Sequence, residues 1–226
     1  MISITQKYEL LTKLPLLQGL SGKELAHIES LIGMEVDEMP PMNKPLIRQG
    51  DPCTHLLFLT TGTMLRQYRS KEGVFQTKSF IQAPTLLEPQ NLYGLDCRFR
   101  YSYTPQNDVS VISISKSELM QHLMRTEIFR INYLNMLSAI IHKKEMQMLP
   151  LPNPTVNRKI AFFLRKLFAD CYGRAEIMIK MTDLANFIGE TRLNTSRALN
   201  ELEDAHLLEL KRSLIIIHDI KTLQQI

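Results

Sequence analysis

The chain has 226 residues, 44% of them hydrophobic and 22% charged, which excludes wholesale disorder and a fibrous repeat and leaves room for two domains. Three cysteines, Cys53, Cys97 and Cys171, are odd in number and far apart, so neither a disulfide framework nor a C-x-x-C metal knuckle is on offer, and a reducing compartment is expected. The net charge of +4 is spread evenly, with 16 Lys and Arg against 14 Asp and Glu up to residue 154 and 11 against 9 after it, so charge alone does not identify a nucleic-acid partner. No apolar run approaches the roughly 18 residues that span a bilayer, and Lys7, Glu9 and Lys13 interrupt the start where a secretory segment would be apolar. A cytoplasmic protein with no membrane partner is expected.

In chain order, two short helices come first, Gln6 to Lys13 and Gly22 to Ile32, the second introduced by a capping box of Ser21 and Glu24. From Met34 to Ile114 the texture changes to short β-prone runs, Leu56 to Thr60, Thr63 to Tyr68, Phe75 to Ile81 and Val109 to Ile114, separated by Gly and Pro. Strands at that spacing, with no helical pattern between them, predict an antiparallel sandwich or barrel. Ser117 to Leu149 has neither Gly nor Pro; a short helix, Glu118 to Met124, runs through Thr126 into a long one. Along it Ile131, Leu134, Leu137, Ile141 and Met148 keep the spacing of a seam. Two uses stand: packing on the helix's own sheet, and pairing with a second copy on another face.

Three prolines within residues 150–154 make a stiff hinge. The chain thus divides into residues 1–116, a β domain with leading helices; 117–149, the long-helix region; 150–154, the hinge; and 155–226, a second domain. The last opens with an amphipathic helix, Thr155 to Ala169, and a turn at Tyr172-Gly173. In Met181 to Glu203, Thr182 caps a helix, Asp183 to Phe187; Gly189 makes a turn with little steric room; and Thr191 caps a second helix, Arg192 to Ala205. Leu184, Ile188, Ala198 and Leu202 face a small core, and Ala185 lets the helices cross closely. This is a helix-turn-helix layout, whose second helix meets base edges with its leading end. There stand Arg192, Leu193, Asn194, Thr195, Ser196 and Arg197, residue types suited to base and phosphate contacts. Two strands, Leu207 to Lys211 and Leu214 to His218, then make it a winged helix.

These segments, in this order, are similar to the Crp/Fnr family of bacterial transcription regulators over nearly the whole chain. The resemblance is carried by Leu14 to Ser21, by Ile47 to Asp51 with Leu56 to Leu59 and Gly62, by Arg158 to Ala161, by Thr182 to Leu184 with Ala185, Ile188, Gly189, Thr191 and Arg192, by Ser196 to Leu199 with Leu202 and Glu203, and by Ile215 to Asp219. It implies an α+β fold: an N-terminal antiparallel β-roll of the cyclic-nucleotide-binding jelly-roll type, a long dimerisation helix and a C-terminal winged helix-turn-helix. It also implies a homodimer acting on double-stranded DNA, with RNA polymerase as a further partner. DNA contacts fall on Thr182 and on Thr191 through Arg197, and an effector site falls near Gly94, Leu95, Tyr103 and Thr104.

Two departures qualify the resemblance. Relatives that read cyclic AMP hold its phosphate with a Gly-Glu-Leu run and an Arg-Ser or Arg-Thr pair. The corresponding region here reads Leu92 to Asp96 and Tyr101 to Pro105, with no arginine at the phosphate position, which argues against cyclic AMP. In the reading helix Leu193 stands where the family often has glutamate, which exchanges a cytosine acceptor for a thymine-methyl contact. The dispersed cysteines do not supply an iron-sulfur cluster, and only His55 lies in the roll, against a metal-dependent roll enzyme. No Walker loop, catalytic triad spacing or paired-carboxylate motif is present, so no enzymatic activity is expected. Two alternatives stay open: a winged helix that contacts proteins, and a haem- or redox-sensing regulator.

Overall fold

The computed structural model describes residues 14–31, 44–149, 152–168 and 171–225. The expected first helix, Gln6 to Lys13, and the first two hinge residues, Pro150 and Leu151, lie outside them. Helix α1 (Gly22–Leu31) begins on the expected box, with Ser21 donating from its backbone N–H to Glu24 Oε2 (2.7 Å) and Glu24 N–H donating back to Ser21 Oγ (3.3 Å).

Six strands build the first domain: β1 (His55–Thr61), β2 (Thr63–Arg69), β3 (Phe75–Gln82), β4 (Thr85–Leu87), β5 (Ser102–Pro105) and β6 (Ser110–Ser115). One face has the order β4-β1-β6 and the other β5-β2-β3, and every pairing is antiparallel. Alternation along the strands aims Leu56, Phe58, Met64 and Ile81 at the interior, where they join Leu87, Leu92 and Phe99. The β1–β2 connection depends on Gly62, whose φ is +85° and whose missing Cβ would lie 2.4 Å from the Asp108 carbonyl oxygen. Strands β4 and β5 are not visible in the sequence reading. They span three and four residues and lie among Pro84, Pro89 and Pro105, where turn residues hide any period of two.

The expected helix Glu118 to Met124 is α2 (Lys116–Gln121), capped by a Ser115–Glu118 box, followed by a separate 3₁₀ turn at Leu123–Arg125. Helix α3 (Glu127–Met148) then crosses the roll. Its first half is docked. Phe129 and Tyr133 are buried, Tyr133 Oη donates to the Pro89 carbonyl (3.0 Å), and Asn132 Nδ2 donates to the Leu16 and Gln18 carbonyls (3.2 and 2.8 Å). Beyond Leu137, which packs on the roll core, α3 turns an exposed surface outward.

The second core is formed by α4 (Val156–Leu167), β7 (Tyr172–Ile179), α5 (Met181–Ile188), α6 (Arg192–Asp204), β8 (Glu209–Lys211) and β9 (Leu214–Ile217). Ile160, Leu164, Phe168, Ile177, Leu199 and Ile217 lie at its centre. The sequence reading expects only a turn at Tyr172-Gly173, but those residues open an eight-residue strand. Ala175, Ile177 and Ile179 alternate inward, and the intervening Arg174, Glu176 and Met178 mask the strand in the sequence. Strand β7 pairs with β9 on one edge and with β3 of the roll on the other, giving one six-stranded sheet, β5-β2-β3-β7-β9-β8.

Phe168 has no exposed surface and closes the end of α4, its N–H donating to the Leu164 carbonyl (3.1 Å). Replacing it by alanine should cost about 3–5 kcal/mol, read as a lower urea midpoint with an unchanged slope.

Candidate nucleic-acid interface

Helices α5 and α6 meet at a short turn whose geometry follows from Gly189. Its φ of +66° is left-handed, and its N–H caps α5 by donating to the Ala185 and Asn186 carbonyls. The sequence reading assigns this glycine to lack of room. The structure gives a different reason, because a Cβ added there would meet nothing within 4 Å; the backbone angle is what requires glycine. Ala185, Leu184, Ala198 and Leu202 are buried between the helices as expected, and Ile188 packs at the edge of the same core.

The caps are divided differently from the expectation. Thr191 caps α6, its Oγ1 accepting from the Asn194 N–H (3.2 Å). Thr182 does not cap α5: that position is Lys180, which makes no side-chain cap, and Thr182 is an exposed residue of the first turn. Arg192, Asn194 and Arg197 are exposed along the leading end of α6, and Leu193 is 60% exposed. Ser196 is half-buried. Thr195 departs from its expected place at the interface. It has no exposed surface, and its hydroxyl donates to the Thr191 carbonyl (2.9 Å), so it faces the core and steadies the first turn of α6.

Three features missed by the sequence reading complete this face. Lys159 Nζ of α4 donates to Glu190 Oε1 in the interhelical turn (2.6 Å), a bond that holds the Glu190 carboxyl below the usual carboxylate range and ties α4 to the turn. Asn157 Nδ2 donates to Glu201 Oε2 (2.8 Å), and a cleft between α4 and α6 is lined by Thr155, Asn157, Asn194, Arg197 and Glu201. The Ile179 N–H donates to the Ser213 carbonyl (2.9 Å), which sets the wing turn Arg212-Ser213 beside the start of α5. Such tertiary pairs leave no signal in local spacing.

A family model described as the Crp-like helix-turn-helix domain matches residues 158–226. The C-terminal domain is a Crp-like helix-turn-helix domain. The chain as a whole is similar in fold to the crystal structure of the Thermus thermophilus catabolite activator protein, at 18% identity and a TM-score of 0.53 over 94% of this chain and 97% of that one. Among curated proteins it is similar to electron transport regulator A of Shewanella oneidensis, 24% identical over 88% of this chain and 81% of that protein. It is likewise similar to the global nitrogen regulator of Synechocystis sp., 23% identical over 90% of this chain and 95% of that one.

Within the roll the four residues expected at an effector site do not form one surface. Leu95 is exposed on a bend beside Gly94, whereas Tyr103 and Thr104 are buried on β5. The polar centre of the roll is instead Glu88, which sequence reasoning overlooked. It is buried, with a φ of +45°. Its carboxylate accepts from the Arg100 and Tyr101 backbone N–H groups (2.7 and 3.1 Å), from Tyr103 Oη (3.1 Å) and from Asn91 Nδ2 (2.5 Å). Burial pushes the Glu88 carboxyl above the usual range, and the two amides and Tyr103 oppose that. Among the described residues no group of three or more His, Cys, Asp or Glu side chains could hold a metal ion.

Because Gly189 is needed for its backbone angle and not for space, Gly189→Ala should cost about 1–2 kcal/mol and leave the domain folded, measured by thermal unfolding.

Proposed function

We propose that the protein is a sequence-specific DNA-binding transcription regulator that acts as a homodimer on a two-fold-related operator, with RNA polymerase as a further partner, and that it has no catalytic role. One observation carries this reading: on a Crp-like domain, the leading end of α6 presents Arg192, Leu193, Asn194 and Arg197 to solvent, with the wing turn beside the start of α5. Arginine forks onto guanine and asparagine onto adenine, while Thr182 and Thr191, at helix starts, suit phosphates. Leu193, with a bare apolar side chain at the front of the helix, favours a thymine methyl.

Homodimerisation is assigned to α3. Ile131, Leu134, Ile141 and Met148 are exposed, Leu134 by 62% and Met148 by 75%, while Leu137 also packs against the roll. A row of large apolar side chains left open along one helix marks an interface. The roll is assigned to gating by an effector other than cyclic AMP. Glu88 supports that exclusion, since a buried carboxylate at the roll centre, held by the backbone amides of Arg100 and Tyr101, would oppose an incoming phosphate.

Two experiments test these assignments. Replacing Leu134 and Ile141 together by glutamate should give monomers on sizing chromatography; a double variant that stays dimeric would place the interface elsewhere. For the reading helix, Arg197→Ala should cost about 1–3 kcal/mol on the cognate duplex and relax preference at one base pair. Thr182→Val should weaken cognate and scrambled duplexes alike and by less. Both are read in titrations at one fixed salt concentration. Equal loss on both duplexes for Arg197→Ala would make it a phosphate contact, and no effect from either change would favour a winged helix that contacts proteins.

A further inference from the structure

The six-stranded sheet crosses from the roll into the DNA-binding domain, and the crossing is a long antiparallel ladder. Phe75 pairs with Ile179, Gln76 with Met178, Thr77 with Ile177, Lys78 with Glu176 and Ser79 with Ala175, before a bulge brings Phe80 opposite Tyr172. The inward residues on both sides, Thr77, Ser79, Ala175, Ile177 and Ile179, are buried, so the join is as dry as either core. Without β3, the domain's sheet would be β7-β9-β8 with β7 as an open edge of alternating apolar residues, the kind of edge that recruits another strand. The roll supplies that strand from within the same chain.

Side chains reinforce the ladder at both ends. At one end Phe75 meets Tyr68 of the roll (5.7 Å between ring centroids) and Phe187 of α5 (5.7 Å), and Phe187 stacks on Phe163 of α4 (5.5 Å). The rings make a continuous path from β2 to the first helix of the helix-turn-helix. At the other end Arg66, buried on β2, sets Nη2 against Cys171 Sγ and donates from Nε to Ser79 Oγ (3.3 Å), with its guanidinium over the Tyr101 ring (4.4 Å). Tyr101 and Tyr103 in turn donate to Glu88 at the roll centre. The polar interior of the roll is therefore linked to the DNA-binding domain through packed and hydrogen-bonded groups.

We propose that the β3–β7 ladder, fastened by Arg66 and the Phe75–Phe187 contact, is a second joint between the domains that holds the reading helix in its DNA-binding orientation. The docked arrangement is the competent one because it leaves both recognition elements open: β3 covers the inner edge of the domain's sheet, while the wing lies at its outer edge and Arg192, Asn194 and Arg197 face solvent. A state of the roll that parts β3 from β7 would free the helix-turn-helix to swing on the proline hinge and disperse the two reading helices of a dimer. The proposal rests on the DNA-binding reading given above, and its test has arms that need no DNA.

Lys78 and Glu176 face each other on the exposed side of the ladder, so Lys78→Cys with Glu176→Cys can lock the joint with a disulfide. Mild oxidation of the native protein should form that bond, seen by peptide mapping against wild type oxidised in parallel. The locked protein should bind a duplex selected by the wild type from a random pool with the affinity of its reduced form. In the reverse direction, Thr77→Pro breaks the ladder at its centre. It should raise amide exchange in β7 and weaken the selected duplex by about tenfold or more while sparing scrambled DNA. Failure of the disulfide to form in the native protein overturns the joint, as does a folded Thr77→Pro variant with unchanged β7 exchange. A locked protein that loses the duplex and regains it on reduction overturns the assignment of the docked state as competent. If Thr77→Pro does not fold, the disulfide arms decide. If wild type selects no duplex, the DNA-binding reading has failed, while disulfide formation and β7 exchange still judge the joint.

Discussion

A β-strand has two hydrogen-bonding edges, and in β7 both are used: one by β9 of the wing and the other by β3 of the roll. Much of the architecture follows from that double pairing. Since β7 lies directly between α4 and α5 in the chain, fixing β7 also fixes where the first helix of the helix-turn-helix begins. The Ile179 N–H bond to Ser213 extends the same constraint to the wing turn. The roll and the helix-turn-helix domain keep separate cores, yet they share a sheet, so the covalent hinge is not their sole connection.

The long helix divides its labour between its faces. Its first half is consumed by the roll, where Phe129 and Tyr133 are buried and Asn132 clasps the chain near Leu16 and Gln18. On another face the exposed apolar row of Ile131, Leu134, Ile141 and Met148 runs along nearly the whole helix. A helix used in this way has no single dominant stripe, because one set of apolar residues serves the roll and another, rotated from it, faces outward. The same economy governs the roll centre. Glu88 takes two backbone amides, a phenol and an amide side chain, so a buried carboxylate is satisfied by groups of the chain itself.

Where local pattern dictates structure, the sequence was readable. The Ser21–Glu24 box, the four longer roll strands, α3, and the α5–Gly189–α6 unit all declare themselves through caps, turn residues and period. What escaped depends on partners distant in the chain. Strand β7 is stable because β3 and β9 flank it, and its charged outward residues disguise it. Glu88 reads as an ordinary loop acid until β5 brings the amides of residues 100 and 101 to it, twelve and thirteen positions on. At the interface the residue types were legible but their directions were only partly so. Thr195 looked like a polar contact residue and is instead a buried hydroxyl bonded to the turn before it, while Thr182 sits two residues past the true cap position, Lys180.

Whether two copies of this chain read DNA through α6, as proposed, is decided by letting the purified protein choose its own duplex. Repeated selection from a random-sequence pool at near-physiological salt should enrich two inverted half-sites with centres about 10 base pairs apart or a multiple of that spacing. Enrichment of an unpaired half-site would contradict the two-fold arrangement, and a pool that remains random after selection would contradict sequence reading by this helix altogether.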